Sequence, residues 1–291
     1  MVARNMRSSG PPTALRETAR ISPLPPTPQP LPQTPREQSA FAPVGFGFLI
    51  VFLFLMFSRI CDFYFSHLHL PLFFSSCALI AALFSGNFFT PLRSRIGISL
   101  MLFSIWLVLA TPMSVWKGGS YAVVVDDWSK ALAVFFVVNA LAGSISQVVK
   151  VIRTVAYSML AVTVLAFLLG VKTAGRLTLP QGSYSGPNEL ATAMILGCIY
   201  AWFIISNPAH SKIRRFTGFV MLVPLALIMM KTGSRGAVIA LGVVCLFLMT
   251  RYSLGQKIIM ITVLMLAAVV AVLVLPKDIF NRYSIFFSRN I

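Results

Sequence analysis

Two stretches decide what kind of chain this is. Ser185-Gly186-Pro187-Asn188-Glu189 runs straight into an apolar segment at 190–206, and Lys231-Thr232-Gly233-Ser234-Arg235-Gly236 runs into another at 236–250. A bilayer core takes about 20 apolar residues per helix, so each reads as a polar turn feeding a membrane span. Working outward, seven further apolar runs occupy 44–64, 68–86, 97–113, 130–146, 152–170, 216–230 and 257–275. The chain is 57% hydrophobic, with a mean hydropathy of +0.85, far from a soluble domain. The expectation is an all-α polytopic membrane protein with about nine transmembrane helices over 41–276. No internal repeat stands out.

The net charge of +17 would suggest nucleic acid in a soluble protein. Here the charge lies in loops and tail, where it reads as membrane topology and anionic lipid, and nucleic acid is not expected as a partner. Residues 1–40, with Pro23-Leu24-Pro25-Pro26-Thr27-Pro28-Gln29-Pro30, are expected to form a disordered cytoplasmic tail. With that tail inside, Arg93, Arg95, Lys150, Arg153, Lys212, Arg214, Arg215, Arg251 and Lys257 fall in inner loops. Asp62, Asp126, Asp127, Glu189 and Asp278 all fall outside. The positive-inside rule is met at each loop, so the C-terminus is expected outside, with 277–291 beginning an outer loop. No charged residue lies at the centre of a span, which counts against a proton- or ion-coupled pump.

Both quoted stretches then share the outer face, and the spans that follow them present their N-termini there. A helix N-terminus offers free N–H groups and a positive dipole end, and with arginine beside it becomes an anion site. Arg176 and Arg235 are the candidates, because the planar guanidinium grips phosphate oxygens in a bidentate way. Ser185 or Asn188 is expected to cap the first span, Thr232 or Ser234 the second. Lys231, Asn188 and Ser234 join the candidate binding set. Taken alone, each segment reads as structural, since serine, glycine and snorkelling arginine are common at membrane ends. Their co-occurrence on one face is what points to a site.

Glu189 is the acid–base candidate, set against the simpler role of an acidic residue in a helix's first turn. Asp126 and Asp127 read as a solvated loop pair. The four cysteines have no ligand or disulfide spacing, and the three histidines form no cluster, so no metal is expected. There is no Walker loop and no GxGxxG, and hence no nucleotide and no cofactor.

The order of these motifs resembles the O-antigen ligase and O-antigen polymerase superfamily, which includes exopolysaccharide polymerisation proteins. The matching residues are Gly186-Pro187-Asn188-Glu189-Leu190-Ala191 and Thr232-Gly233-Ser234-Arg235-Gly236-Ala237. The Pro112-Met113-Ser114-Val115-Trp116 loop and Arg282 after the last run are similar too. The resemblance implies a C-type glycosyltransferase-like bundle in a bacterial inner membrane. It implies transfer of glycan from a polyprenyl-pyrophosphate donor to a lipid or glycan acceptor on the periplasmic side, without metal, alongside other envelope polysaccharide proteins. By motif position Arg176 and Arg235, with Arg282 as a third, would hold the pyrophosphate. The ligases carry a histidine on a large periplasmic loop beyond this point, so the chain is expected to be a C-terminally shortened relative. The rival readings are a lipid-linked glycan permease and an inactive scaffold protein.

Overall fold

The computed structural model describes residues 41–207 and 209–274. Each of the nine apolar runs lies on a helix: α1 (Phe41–Ser58), α3 (Leu70–Phe84), α4 (Arg95–Ala110), α6 (Ser129–Leu141), α7 (Ile145–Leu168), α8 (Pro187–Ser206), α9 (Lys212–Lys231), α10 (Arg235–Arg251) and α11 (Leu254–Val274). Two short helices, α2 (Ile60–Tyr64) and α5 (Lys117–Ala122), complete the set. Among the described residues four helices are long and apolar enough to cross a membrane: α4 with its 3-10 extension (Arg95–Met113), α7, α8 and α9. Large apolar side chains stay exposed along several helices, including Trp106 at 67%, Leu246 at 68% and Phe247 at 59%. Water would penalise such surface and lipid does not, so the molecule is an α-helical membrane protein.

Four local features depart from the run boundaries. The first run breaks at Arg59, which adopts left-handed φ 56° and ψ 16° between α1 and α2. A non-glycine residue there costs roughly 1–2 kcal/mol, so the surroundings must hold it. Second, the stretch expected as loop before 130 is helical. α5 passes through a π-helical segment (Val123–Trp128) into α6, carrying Asp126 and Asp127 with it. Trp128 fixes this helix by donating its indole Nε1 to Ser104 Oγ of α4 at 2.9 Å. Third, α7 starts seven residues before its apolar run, at Ile145. A capping box sets that start: Ser144 Oγ accepts from the Gln147 amide, and Gln147 Oε1 accepts from the Ser144 amide. Fourth, the connection after α7 contains a small antiparallel hairpin, β1 (Val171–Thr173) and β2 (Arg176–Thr178).

Lipid tails are as apolar as leucine, so close packing rather than water exclusion must join these helices. The main core combines α7, α8 and α9 through Met159, Val162, Leu190, Met194, Leu225 and Ile228. Gly197 permits the contact: a Cβ there would lie 2.7 Å from Leu225 and 2.9 Å from Met159. A second core joins α1, α3 and α6 through Leu49, Leu53, Ala78, Ala82 and Leu141. The chain between β2 and α8 ties the two together at one end of the bundle. Leu179 of this segment is fully buried. Tyr184 donates its hydroxyl to the Phe57 carbonyl at 3.1 Å, and Gln181 Nε2 donates to the Asp62 carbonyl at 2.9 Å.

Candidate functional site

Arg176 owes its place to the hairpin. Ala174 and Gly175 take φ of 51° and 74°, the two positive angles that a two-residue type I′ turn demands. Thr173 pairs with Arg176 across that turn, so the arginine emerges on the first residue of β2. Its Nε donates to the Thr232 carbonyl at 2.8 Å, and one terminal nitrogen donates to Asn188 Oδ1 at 2.8 Å.

The partner residues come from two helix junctions. α9 ends at Thr232, whose hydroxyl turns back to the Met229 carbonyl. Gly233 follows with φ 61°, and its amide bonds to the Met230 carbonyl at 3.0 Å, the left-handed exit that favours glycine. Ser234 is the N-cap of α10, yet its side chain makes no cap bond. It donates instead to Asn188 Oδ1 at 3.1 Å. α8 also starts without a side-chain cap: its N-cap is Gly186, with Pro187 in the first turn. Neither expected capping arrangement forms. Two of the side chains expected to cap these helices, Asn188 and Ser234, are hydrogen-bonded to one another across the junction, while the Thr232 hydroxyl accepts from the Ser234 amide at 3.3 Å.

The result is a polar pocket of about 430 Å³ lined by Arg176, Asn188, Thr192, Gly233, Ser234, Arg235, Gly236 and Ala237. Arg176 and Arg235, separated by a whole helical hairpin in sequence, line the same space. Gly236 and Ala237 belong to the uncapped first turn of α10, so its amides and dipole end open on the pocket. Of the residues singled out from the sequence, Arg176, Arg235, Asn188 and Ser234 meet here.

Glu189 and Lys231 are not among the pocket's lining residues. Glu189 folds back onto the α8 N-cap, where a Cβ added to Gly186 would sit 1.8 Å from its carboxylate. Lys231 lies over the Phe167 ring, 5.1 Å from its centroid, a cation–π contact. Arg282 lies outside the described residues. Asp126 and Asp127, expected in a solvated loop, line a different cavity against α1 and α3.

Two participants in the pocket were missed by sequence reasoning. Thr192 lines the pocket one turn below Asn188 and donates to its carbonyl at 2.9 Å; the i, i+4 spacing was the available signal. Thr232 serves through its backbone carbonyl, which no side-chain motif announces. Outside the pocket, Arg59, late in the first run, donates to Ser183 Oγ of the inter-core segment. Beside it, burial pushes the Tyr184 phenol above its ordinary pKa, with Arg59 opposing and Asp62 adding to the shift.

A search of protein-family models, of curated proteins and of solved structures finds no match to this chain. Two guanidinium side chains, an amide, a hydroxyl and an uncapped helix start make a donor-rich, positively charged cup. Such a set is suited to a multiply charged oxyanion such as a phosphate or diphosphate. A separate apolar cavity lies deeper along the same helices, lined by Cys198 and Trp202 of α8, Leu241, Val244 and Leu248 of α10, and Met260 of α11. At 1.5 Å per residue, Leu241 and Leu248 lie about 9 and 20 Å from Arg235 along α10.

Proposed function

We propose that this protein is a membrane glycosyltransferase of the O-antigen ligase or polymerase type. It takes glycan from a polyprenyl-diphosphate donor in surface polysaccharide biosynthesis and passes it to a lipid or glycan acceptor on the periplasmic face of a bacterial inner membrane. In this reading all nine long helices cross the bilayer, the N-terminus is cytoplasmic, and the pocket lies at the periplasmic end. The observation that carries the proposal is the convergence of Arg176 and Arg235 on one polar pocket. A charged head suits the pocket, and a long apolar tail suits the exposed apolar side chains of α10, Leu246 and Phe247 among them.

In the proposed reaction the acceptor oxygen forms a bond to the sugar's anomeric carbon as the bond from that carbon to the diphosphate oxygen breaks. The electron pair leaves with the diphosphate, and the hydroxyl proton passes to water. Arg176 and Arg235 offset the charge gathering on the departing group, which favours the transition state over the ground state. Pairing before reaction also positions the donor. Asn188 holds the Arg176 guanidinium in place.

The test is the purified full-length protein in lipid nanodiscs with a polyprenyl-diphosphate-linked glycan and a lipid acceptor. The expected result is release of free polyprenyl diphosphate and a glycosylated acceptor, lost in Arg235→Ala. Glycan found across a vesicle bilayer and still joined to its lipid would indicate a permease instead. Equal binding of diphosphate, monophosphate and neutral polyprenyl lipids would remove the pocket from the proposal.

A further inference from the structure

A second cavity reaches the segment that links β2 to α8 through Ser183 and shares no lining residue with the arginine pocket. It measures about 720 Å³ and lies between α1, α3 and α6. Its walls are mostly apolar, formed by Phe52, Met56, Leu72, Leu79, Val134 and Val137, with Ser75 and Ser76 of α3 between them. Its mouth carries Arg59, Asp126, Asp127, Lys130 and Ser183. The lining follows the helix period: Phe52 and Met56 on α1 with Arg59 just past its end, and Lys130, Val134 and Val137 on α6. From charged rim to apolar floor the cavity therefore runs about 10 Å along both helices.

The rim has the marks of a built site. Arg59 is held in a left-handed backbone conformation, the kind of strain that persists only where the surroundings over-determine it. One terminal nitrogen donates to Ser183 Oγ at 2.6 Å, and the other pairs with Asp62 at 3.5 Å. Its Nε is buried without a hydrogen-bond partner, and buried donors are rarely left so. Asp126 and Asp127 sit on the π-helical segment, an irregularity frequent at functional sites. Among the described residues the single ion pair is Arg59 with Asp62, so Asp126, Asp127 and Lys130 bring their charges to the rim uncommitted.

We propose that this cavity holds a zwitterionic lipid carrying a phosphate and a primary ammonium group. One acyl chain lies in the apolar trough, the phosphate meets Arg59 and Lys130, and the ammonium meets Asp126 and Asp127. The rim's two cations and two carboxylates fix the choice. A purely anionic headgroup would face the carboxylates unpaired. A quaternary ammonium would reach them without hydrogen atoms to donate. The site is separate from the arginine pocket and stands whatever that pocket binds.

The experiment is native mass spectrometry of the full-length protein, delipidated in detergent and titrated with phosphatidylethanolamine, phosphatidylcholine and phosphatidylglycerol of identical chains. Wild type is expected to retain phosphatidylethanolamine about tenfold better than either of the others. Asp126→Asn with Asp127→Asn should bring it down to the level of phosphatidylcholine. Lys130→Gln should weaken phosphatidylethanolamine and phosphatidylcholine alike, because it touches only the phosphate. Circular dichroism checks that each variant keeps its helices. Equal retention of the three lipids, a preference for phosphatidylglycerol, or an undiminished phosphatidylethanolamine preference in the folded double variant would each overturn the proposal.

Discussion

Asn188 accepts a hydrogen bond from the Arg176 guanidinium through its side-chain oxygen, at 2.8 Å. The same oxygen accepts from Ser234 at 3.1 Å. One amide thus joins the hairpin, the start of α8 and the start of α10. Asn188→Asp should preserve the fold, since a carboxylate accepts the same bonds. It should also add a negative charge beside the proposed diphosphate. We expect the thermal midpoint to hold while affinity for a polyprenyl diphosphate falls about tenfold, equivalent to roughly 1.4 kcal/mol. Unchanged affinity in a binding titration would mean that the anion does not sit against Asn188.

Arg235→Lys should fail almost as badly as Arg235→Ala. Lysine keeps the charge but loses the planar fork. Removing one such donor commonly costs about a hundredfold in turnover. The check is the rate of polyprenyl diphosphate release at saturating donor, with membrane insertion monitored in parallel. A lysine variant close to wild type would show that charge alone suffices.

Glu189→Gln should leave glycan transfer intact. The carboxylate is turned onto Gly186 at the α8 start, where its benefit is to the helix dipole, about 0.3–1 kcal/mol. We expect a slightly lower thermal midpoint with normal turnover. A pH–rate profile that loses its acidic limb in this variant would instead restore Glu189 as the base.

Two glycine replacements should separate local geometry from packing. A Cβ at Gly175 meets nothing within 4 Å, so Gly175→Ala is penalised only through its φ of 74°, by about 1 kcal/mol. Because the strain falls next to Arg176, donor binding should weaken as well. Gly197→Val crowds Leu225 and Met159 and should cost about 1–3 kcal/mol without changing donor affinity in the folded fraction. Thermal shift and donor titration on both variants test the contrast.

Tyr184 should make the protein alkali-sensitive. Its phenol is raised above the ordinary value of 10.0, first by burial. Above pH 10 the unfolded state ionises this group while the folded state keeps it neutral. Stability present below that pH is therefore lost as pH rises past it. Tyr184→Phe should start less stable by about 1 kcal/mol, through loss of the bond to the Phe57 carbonyl, and then decline less steeply above pH 10. Parallel slopes in thermal scans from pH 8 to pH 11 would contradict this.

The helical framework was legible because apolar runs of span length have few alternatives once water is gone. The convergence of Arg176, Asn188, Ser234 and Arg235 was legible in outline, since Asn188, Ser234 and Arg235 sit where helices begin and Arg176 lies in the loop that leads to one of them. Local direction was not legible. Glu189 follows Asn188 in sequence but lies about 100° further round the helix, facing Gly186 instead of the pocket. Lys231 precedes the α9–α10 turn and falls back on Phe167 of a neighbouring helix. The Asp126-Asp127 pair reads as loop until Trp128 is seen bonded to Ser104, 24 residues away, a tertiary contact that overrides the local signal. Arg59 passes for an ordinary membrane-end arginine, because neither its backbone strain nor its long-range partner Ser183 is written nearby.

The turn from α9 to α10 carries one further consequence. The negative pole of one helix and the positive pole of the next come within three residues of each other, Thr232 to Ser234. Arg176 is moored to the first through the Thr232 carbonyl, and so arrives beside the second without being driven off by it. An electropositive basin can thus be assembled from like-signed parts, because the repulsion between them is absorbed by the helix that ends there.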